Sequence, residues 1–404
     1  MTAELILDLS RLLWRAGRFP PTGIDRVELA YACHLIANEP LRSSFAAWWG
    51  RRALLPREPA AAFVEALDRI WAGAARNLAA YRKATRLARA LRLHLVREGE
   101  GPLHAYIERL KGRAVYLQVS YQPLPFRGSL LRLKERAGAR FVFFVHDLIP
   151  IEYPQFARSG GAGRHRRRLD LIARLGDRVI VNSAGTARAL ARRLAQEGRE
   201  IPTLIAPLGI GLVRPPTPRP PRASYFVCLS TIEPRKNHRL LLEIWEKLAR
   251  SFGPDAPRLV LLGRRGWKCR EVLRRMRSEP LASLVEERSG VADAAIARCL
   301  AGARALLYPT LAEGFGLPVA EALALGVPVL CSDLPELREV GREVPEYLDP
   351  FDEPAWRQAV IAYSEPGSGR RADQLERLEA WRAPSWGEHF AAAWPFIEEA
   401  VNSP

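Results

Sequence analysis

Short apolar runs alternate with helical stretches along most of this chain of 404 residues. Examples are RFVFFVHDLI at 140–149 in the first half and RLVLLG at 258–263 in the second. Strands that are apolar at nearly every position are typical of parallel sheets that helices cover on both faces. The pattern therefore predicts an α/β fold built on parallel sheets.

The alternation is interrupted once, by the proline-rich stretch GLVRPPTPRPPRAS at 211–224. Such a segment forms a stiff linker, and the chain is long enough for two domains. We predict two doubly wound, Rossmann-like domains. The predicted boundaries are an N-terminal domain at 1–212, a linker at 213–223, a C-terminal domain at 224–380, and a final helical segment at 381–404 that packs back toward the N-terminal domain.

The chain is strongly basic, with a net charge of +17. The excess lies in residues 1–223, where basic residues outnumber acidic ones roughly two to one. One basic stretch, at 75–98, places Leu78, Tyr81, Leu87, Leu91 and Leu95 at near-helical spacing, and a second lies at 163–176. A basic amphipathic helix can bind an anionic membrane surface, although such helices also pack their leucines on their own sheet. The basic stretches hold few aromatic residues, so no nucleic-acid partner is expected.

The five cysteines form no CxxC pair, and the histidines have no metal-ligand spacing. No Asp-x-Asp metal motif is present, so we expect no metal ion. The N-terminus does not have the pattern of a signal peptide, and no apolar run reaches the length of a membrane span. We therefore expect a cytoplasmic protein that is at most peripheral on the inner membrane.

The segment PTLAEGFGLPVAEALALGVPVLCSD, at 309–333, follows a predicted strand and begins a helix near Pro318. The backbone N–H groups of Gly314, Phe315 and Gly316 would then face an anion such as a phosphate. Glu321 could accept hydrogen bonds from a ribose diol, and Glu313 could reach sugar hydroxyls. The alternative is that both glutamates are solvated residues near a helix start, and these residues alone leave the choice open.

A second segment, VCLSTIEPRKNHRLLLEIW at 227–245, also joins a predicted strand to a helix. Arg235 and Lys236 lie at this turn, where they could neutralise a diphosphate. The alternative is a solvated basic turn. Two turns that favour anions at one sheet edge strengthen the hypothesis of a binding site.

These two segments resemble the C-terminal half of the retaining glycosyltransferases of family 4, which have the GT-B fold. PPTGIDRVELAYA and FFVHDLIPIEYP resemble the glycine loop and the His-Asp strand end of the same family. The resemblance implies two Rossmann-like domains with an interdomain cleft. It also implies a nucleotide-sugar donor, such as GDP-mannose or UDP-hexose, as a substrate, with no further cofactor.

The resemblance also implies roles for particular residues. Two would be catalytic, with His146 contacting the transferring sugar and Glu313 orienting its hydroxyls. Those that would bind the donor are Gly23, Arg235, Lys236, Gly314, Phe315, Gly316 and Glu321. One departure is that Ser230 and Thr231 stand where many relatives carry a further arginine.

The expected function is metal-independent transfer of a hexose, with mannose as the first guess, and with retention of configuration. The acceptor would be a glycan or a lipid-linked oligosaccharide in surface polysaccharide biosynthesis. Three alternatives keep part of this reasoning. They are epimerisation or phosphorolysis of a related compound, a catalytically silent scaffold that binds sugar nucleotides, and a basic nucleic-acid-binding protein.

Overall fold

A computed structural model describes residues 2–18, 20–39, 41–72, 78–121, 127–212 and 224–402. The chain divides into two compact units. Unit 1 comprises Met1–Glu152, Ser159–Leu208 and Trp386–Pro404, and unit 2 comprises Tyr153–Arg158 and Gly209–Ser385. The predicted linker at 213–223 lies outside the described residues.

Unit 1 contains a seven-stranded sheet in the order β3-β2-β1-β4-β5-β6-β7. Neighbouring strands are parallel except for β2 and β3, which form an antiparallel pair at one edge. The central strands are buried along nearly their whole length, as expected of a parallel sheet covered on both faces. The strands are β1 Glu4–Asp8, β2 Ser43–Trp48, β3 Arg52–Leu55, β4 Ala114–Gln118, β5 Arg140–Val145, β6 Arg178–Val181 and β7 Thr203–Ile205.

Nine helices of unit 1 precede its last strand in the described residues. They are α1 Ser10–Arg15, α2 Gly23–Asn38, α3 Arg57–Trp71, α4 Leu78–Glu98, α5 Gly101–Arg109, α6 Arg127–Glu135, α7 Ile149–Glu152, α8 Gly161–Leu175 and α9 Ala184–Ala195. No helix in the part of the chain that the structure describes is long and apolar enough to cross a bilayer.

Unit 2 contains six parallel strands in the order β10-β9-β8-β11-β12-β13. Numbered within the unit, this is the 3-2-1-4-5-6 order of a doubly wound nucleotide-binding sheet. The strands are β8 Tyr225–Leu229, β9 Arg258–Leu262, β10 Val285–Arg288, β11 Leu306–Tyr308, β12 Val329–Ser332 and β13 Glu346–Leu348. The α-helices are α10 His238–Phe252, α11 Arg270–Met276, α12 Leu281–Leu284, α13 Asp293–Ala301, α14 Leu317–Ala324, α15 Pro335–Gly341, α16 Glu353–Ser364 and α17 Gly369–Glu379.

The last helix, α18 (Trp386–Glu398), belongs to unit 1 although it follows unit 2 in the sequence. Its His389 lies 2.8 Å from the Tyr31 hydroxyl through Nε2 and 2.9 Å from the Pro207 carbonyl oxygen through Nδ1. Because a carbonyl only accepts hydrogen bonds, Nδ1 donates to Pro207 and Nε2 accepts from Tyr31. The Phe390 ring also packs edge-on against Tyr31, at 5.0 Å between centroids. This helix therefore completes the packing around α2.

The predicted α/β class and the two doubly wound domains are confirmed. The glycine loop that the resemblance implied around Gly23 differs in the structure, because α1 follows β1 and α2 begins at Gly23. The cause is a capping box, in which Thr22 accepts from the Asp25 backbone N–H while the Asp25 carboxylate accepts from the Thr22 N–H. Gly23 is thus the first residue of a helix, where the sequence had predicted a loop.

Candidate functional site

The two predicted donor-binding segments meet at the centre of the unit 2 sheet. In doubly wound sheets, ligands bind outside the carboxyl ends of the strands where the strand order reverses. This point lies between β8 and β11, which pair through Val227 and Leu306. The chain leaves β8 into the short 3-10 turn Pro234–Lys236 and leaves β11 into the loop that ends at Gly316.

Glu313 is the centre of a cluster of charged side chains at this point. Its Oε2 accepts hydrogen bonds from the Lys236 ammonium and, at 3.1 Å, from Arg235 Nη1. The Tyr308 hydroxyl donates to the same oxygen at 2.8 Å. Arg235 also donates to the Ala312 carbonyl oxygen at 2.6 Å and forms an ion pair of 3.0 Å with Glu233. We name Glu233, Arg235, Lys236, Tyr308 and Glu313 the switch-point cluster.

The charges of the cluster are set by burial and by mutual attraction. Burial alone would raise the pKa of Glu313, but Lys236 and Arg235 lower it to about 2. Burial lowers the pKa of Lys236, and Arg235 lowers it further, whereas Glu313 opposes the change. Burial raises the pKa of Glu233, against the attraction of Arg235 and Lys236. Glu313 is therefore a carboxylate at neutral pH, held in one orientation by two cations and a hydroxyl.

The start of α14 is shaped for close approach of a ligand. Gly316 is the N-cap residue with φ +95, and a Cβ there would lie 2.5 Å from Leu337 Cδ2. Only glycine fits this left-handed, crowded position without strain. Phe315 is buried beside it, and Glu321, one turn into the helix, is also buried. A helix start favours anions because its first N–H groups have no partner within the helix and carry the positive end of the helix dipole.

His146 lies in unit 1, directly after β5, and its side chain is buried. Its Nε2 lies 2.8 Å from the Val119 carbonyl oxygen, so Nε2 carries the proton and Nδ1 is left as an acceptor. Burial lowers the pKa of His146 to about 3. The imidazole is thus neutral at physiological pH and can receive, but not donate, a hydrogen bond at Nδ1.

The start of α2, with Gly23, is held by a buried network in unit 1. Asp25 forms ion pairs with Arg11 at 2.6 Å and with Arg15 at 2.9 Å. Arg15 also donates to the Pro20 carbonyl oxygen at 2.9 Å, and Arg11 donates to the Thr22 hydroxyl at 3.0 Å. These contacts link the backbone at Pro20 and the side chain of Thr22, just before Gly23, to two arginines of α1.

The structure brings Arg235, Lys236 and Glu313 together in unit 2, and it places Gly314, Phe315, Gly316 and Glu321 in the adjoining segment. Sequence analysis missed Tyr308 and Glu233 in the switch-point cluster. Tyr308 could have been predicted from the sequence, because it places a hydroxyl at the end of the apolar run ALLYPT, where the strand meets the predicted site. Among the described residues, no group of three or more His, Cys, Asp or Glu side chains could hold a metal ion.

The sequence model of the family described as Glycosyl transferases group 1 matches residues 223–365, which include the switch-point cluster and α14. This chain therefore carries a group 1 glycosyltransferase domain. The predicted family resemblance is confirmed by this match. The group 1 domain occupies the same unit as every predicted donor-binding residue except Gly23.

The chain is also similar to a serotype-specific mannosyltransferase, WbdA, of Escherichia coli, with 30% identity over 268 residues. That match covers 61% of this chain and 32% of the relative, so the chain spans about a third of the relative's length.

Solved structures show the fold. Sucrose-phosphate synthase of Thermosynechococcus elongatus superposes with a TM-score of 0.66 at 16% identity, covering 100% of both chains. Alr3699/HepE of Anabaena, solved in complex with UDP, superposes with a TM-score of 0.63 at 14% identity, covering 98% of this chain and 99% of that one. The GT-B fold predicted from the sequence is confirmed by these neighbours.

Proposed function

We propose that this protein is a glycosyltransferase that moves a hexose, with mannose as the first candidate, from a nucleotide sugar to a glycan or lipid-linked acceptor in surface polysaccharide biosynthesis. The observation that carries the proposal is the switch-point cluster within a group 1 domain, with Glu313 held by Arg235 and Lys236. The mannosyltransferase WbdA supports the choice of sugar. The HepE structure with UDP supports a nucleotide-sugar donor.

In this proposal the donor lies along the carboxyl edge of the unit 2 sheet. Glu321 accepts hydrogen bonds from the ribose, and the N–H groups of Gly314 to Gly316 face the diphosphate. Glu313, fixed as a carboxylate, orients hydroxyls of the donor sugar. His146 accepts a hydrogen bond from the sugar through Nδ1, because its Nε2 proton is committed to Val119.

Breaking the bond between the sugar C1 and the diphosphate oxygen leaves negative charge on the nucleotide. Arg235 and Lys236 stabilise this charge as preorganised cations. The acceptor hydroxyl attacks C1 from the face that the nucleotide leaves, and its proton passes to the departing phosphate oxygen. The configuration at C1 is then retained, and no metal ion takes part in the step.

The basic face of α4 supports a place at an anionic membrane. Leu91 and Leu95 of the predicted apolar stripe are buried, as are Ala84 and Ala88, so these two leucines do not face a membrane. Leu93 and Val96, which lie outside that stripe, are each 50% exposed. Five exposed cations, which form no ion pair with any described residue, are Arg82, Lys83, Arg86, Arg89 and Arg97. Exposed apolar residues among cations are typical of helices that bind anionic lipid. We therefore propose a cytoplasmic enzyme that is peripheral on the inner membrane.

The test is the thermal stability of the purified protein with a panel of nucleoside diphosphates and sugar nucleotides, in the presence of a chelator. A ligand that binds the folded state raises the melting temperature. We expect one nucleotide class to stabilise the wild type, Glu321→Ala to lose the effect, and Glu376→Ala, a change at an exposed residue of α17, to keep it.

Turnover is then measured as acceptor-dependent release of the nucleoside diphosphate, and the anomeric configuration of the product is read by NMR. Binding without turnover for any glycan acceptor would identify a silent scaffold instead. Inverted product or a strict metal requirement would refute the proposed mechanism but leave the donor site intact.

A further inference from the structure

Arg168 of α8 is a partly buried arginine of unit 1 that packs on Tyr121. Its guanidinium carbon lies 5.4 Å from the centre of the Tyr121 ring. Its Nε is buried without a hydrogen-bond partner, and Arg168 forms no ion pair with any residue that the structure describes. Burial lowers the pKa of this guanidinium. A partly desolvated cation that forms no ion pair is costly, and a bound anion would offset that cost.

The surroundings of Arg168 carry an excess of positive charge. Arg164 and Arg11 both repel its guanidinium, while Asp147 attracts it. Asp25, the other carboxylate linked to this group of arginines, is already shared between Arg11 and Arg15.

Glu28, which interacts with Arg11, adds little negative charge at neutral pH. Burial raises its pKa to about 8, so it is mostly protonated. Two further guanidiniums, those of Arg11 and Arg164, therefore act on Arg168 against the single carboxylate of Asp147.

Arg168 is coupled through Tyr121 to the residue predicted to contact the transferring sugar. The Tyr121 hydroxyl donates to the Asp147 carbonyl oxygen at 3.0 Å and accepts from the backbone N–H of His146 at 2.9 Å. His165, one turn before Arg168 on α8, also contacts the Asp147 carbonyl oxygen, at 3.0 Å. Tyr121 follows the carboxyl end of β4, and His146 and Asp147 follow that of β5, which is the edge where doubly wound sheets bind ligands.

We propose that Arg168, together with Arg164, binds a phosphate group carried by the acceptor. An arginine fork matches two phosphate oxygens, and the excess of cations around it selects an anion over a neutral sugar. The inference rests on the proposed function, because it names the acceptor of that same reaction. The phosphate could belong to the glycan itself or to the phosphate bridge of a lipid-linked acceptor, and both present the same chemistry.

A purely structural role for Arg168 predicts different behaviour. Packing of the guanidinium on the Tyr121 ring would contribute about 0.5–2 kcal/mol to folding. Its loss would lower the melting temperature and would affect phosphorylated and neutral acceptors alike. The test must therefore compare two acceptors in one variant.

The experiment uses the full chain and the variants Arg168→Gln, Arg168→Lys and Arg188→Gln. Arg188 is exposed on α9, so its change removes one positive charge without touching the site. The acceptors are an α-linked mannobiose with a phosphate on its reducing end and the same disaccharide without phosphate. We expect Arg168→Gln to raise KM for the phosphorylated acceptor about 10- to 100-fold and to leave the neutral acceptor unchanged. The KM of Arg168→Lys for the phosphorylated acceptor should lie between those of the wild type and Arg168→Gln. The KM of Arg188→Gln should match that of the wild type.

Equal changes in KM for both acceptors, or a wild type that does not prefer the phosphorylated acceptor, would overturn the inference. Calorimetric binding separates this inference from the proposed function, because it needs no turnover. Binding of the phosphorylated disaccharide that Arg168→Gln abolishes supports the phosphate site even if no sugar is transferred.

Two further titrations separate the sources of phosphate. If inorganic phosphate binds the wild type but not Arg168→Gln, the site recognises the phosphate group itself and needs no attached sugar. If only phosphatidylglycerol vesicles bind through Arg168, and no phosphorylated sugar does, the acceptor assignment is wrong.

Discussion

The ion pair between Glu313 and Lys236 allows a quantitative prediction about stability. The carboxyl pKa of Glu313 lies near 2 in the folded protein, against an ordinary value of 4.5. This difference corresponds to about 3 kcal/mol of folding free energy at pH 7. The lowered pKa means that the folded state favours the carboxylate. The contribution is therefore complete above pH 4.5 and declines as the pH falls toward 2.

Glu313→Gln keeps the shape of the side chain and removes its charge, so Lys236 and Arg235 lose their shared counter-ion. We expect the variant to be less stable than the wild type by about 3 kcal/mol at pH 7 and by about 2 kcal/mol at pH 3.5. The assay is urea unfolding, followed by circular dichroism at intervals between pH 7 and pH 3.5. The double variant Lys236→Met/Glu313→Gln should recover part of the loss, because it removes the buried ammonium that the single change leaves without a counter-ion.

The matched control is Glu271→Gln, which removes an exposed ion pair with Arg239 at 3.2 Å in the same unit. Exposed pairs contribute about 0–1 kcal/mol, so this variant should differ little from the wild type. A gap between wild type and Glu313→Gln that stays constant, or widens, on acidification would refute the reasoning. Either result would mean that the cations do not hold Glu313 as a carboxylate.

Three further outcomes are expected. Gly316→Ala should lower the free energy of unfolding by about 1–3 kcal/mol and abolish stabilisation by nucleotide in thermal shift assays, because φ is +95 and the added Cβ is crowded. The control Gly367→Ala, where φ is +75 but the space is open, should lower stability less and leave nucleotide binding intact. Arg52→Met should destabilise unit 1 by about 3–5 kcal/mol in thermal unfolding, because it leaves the buried Asp8 without its ion pair. The double variant Arg52→Met/Asp8→Asn should recover part of this lost stability. The pKa of His146 is about 3, so this residue does not titrate between pH 5 and 9. The pH profile of turnover should therefore have the same shape in His146→Gln as in the wild type. An inflection near neutrality that is present in the wild type and absent from the variant would contradict this.

Most strands of the two sheets were predictable because short, continuous apolar runs are typical of strands that are buried on both faces. RFVFFVHDLI gave a strand at Arg140–Val145, and RLVLLG gave one at Arg258–Leu262. The antiparallel pair Ser43–Trp48 and Arg52–Leu55 was not predicted. Its second strand carries Arg52, whose burial depends on an ion pair with Asp8, which lies in another strand. When the ion-pair partner of a charged residue lies far away in the sequence, the sequence alone does not distinguish that buried residue from an exposed one.

The members of the donor site were predictable, but their pairing was not. Arg235 and Glu313 are separated by 78 positions, and their contact depends on β8 and β11 being neighbours in the sheet. Sequence analysis assigned the cation to a diphosphate and the carboxylate to a sugar, as separate contacts. In the structure they form one buried cluster, which makes the orientation of Glu313 a property of Arg235 and Lys236.

The membership of α18 in unit 1 has a consequence for how the chain is made. Translation proceeds from the N-terminus at about 5–20 residues per second, and domains begin to fold as they emerge. All of Gly209–Ser385 leaves the ribosome before Trp386–Glu398 exists, so unit 2 can be finished first. During that interval the surface of α2 around Tyr31 lacks the contacts that His389 and Phe390 supply, so the packing of unit 1 is completed only after all of unit 2 has been synthesised.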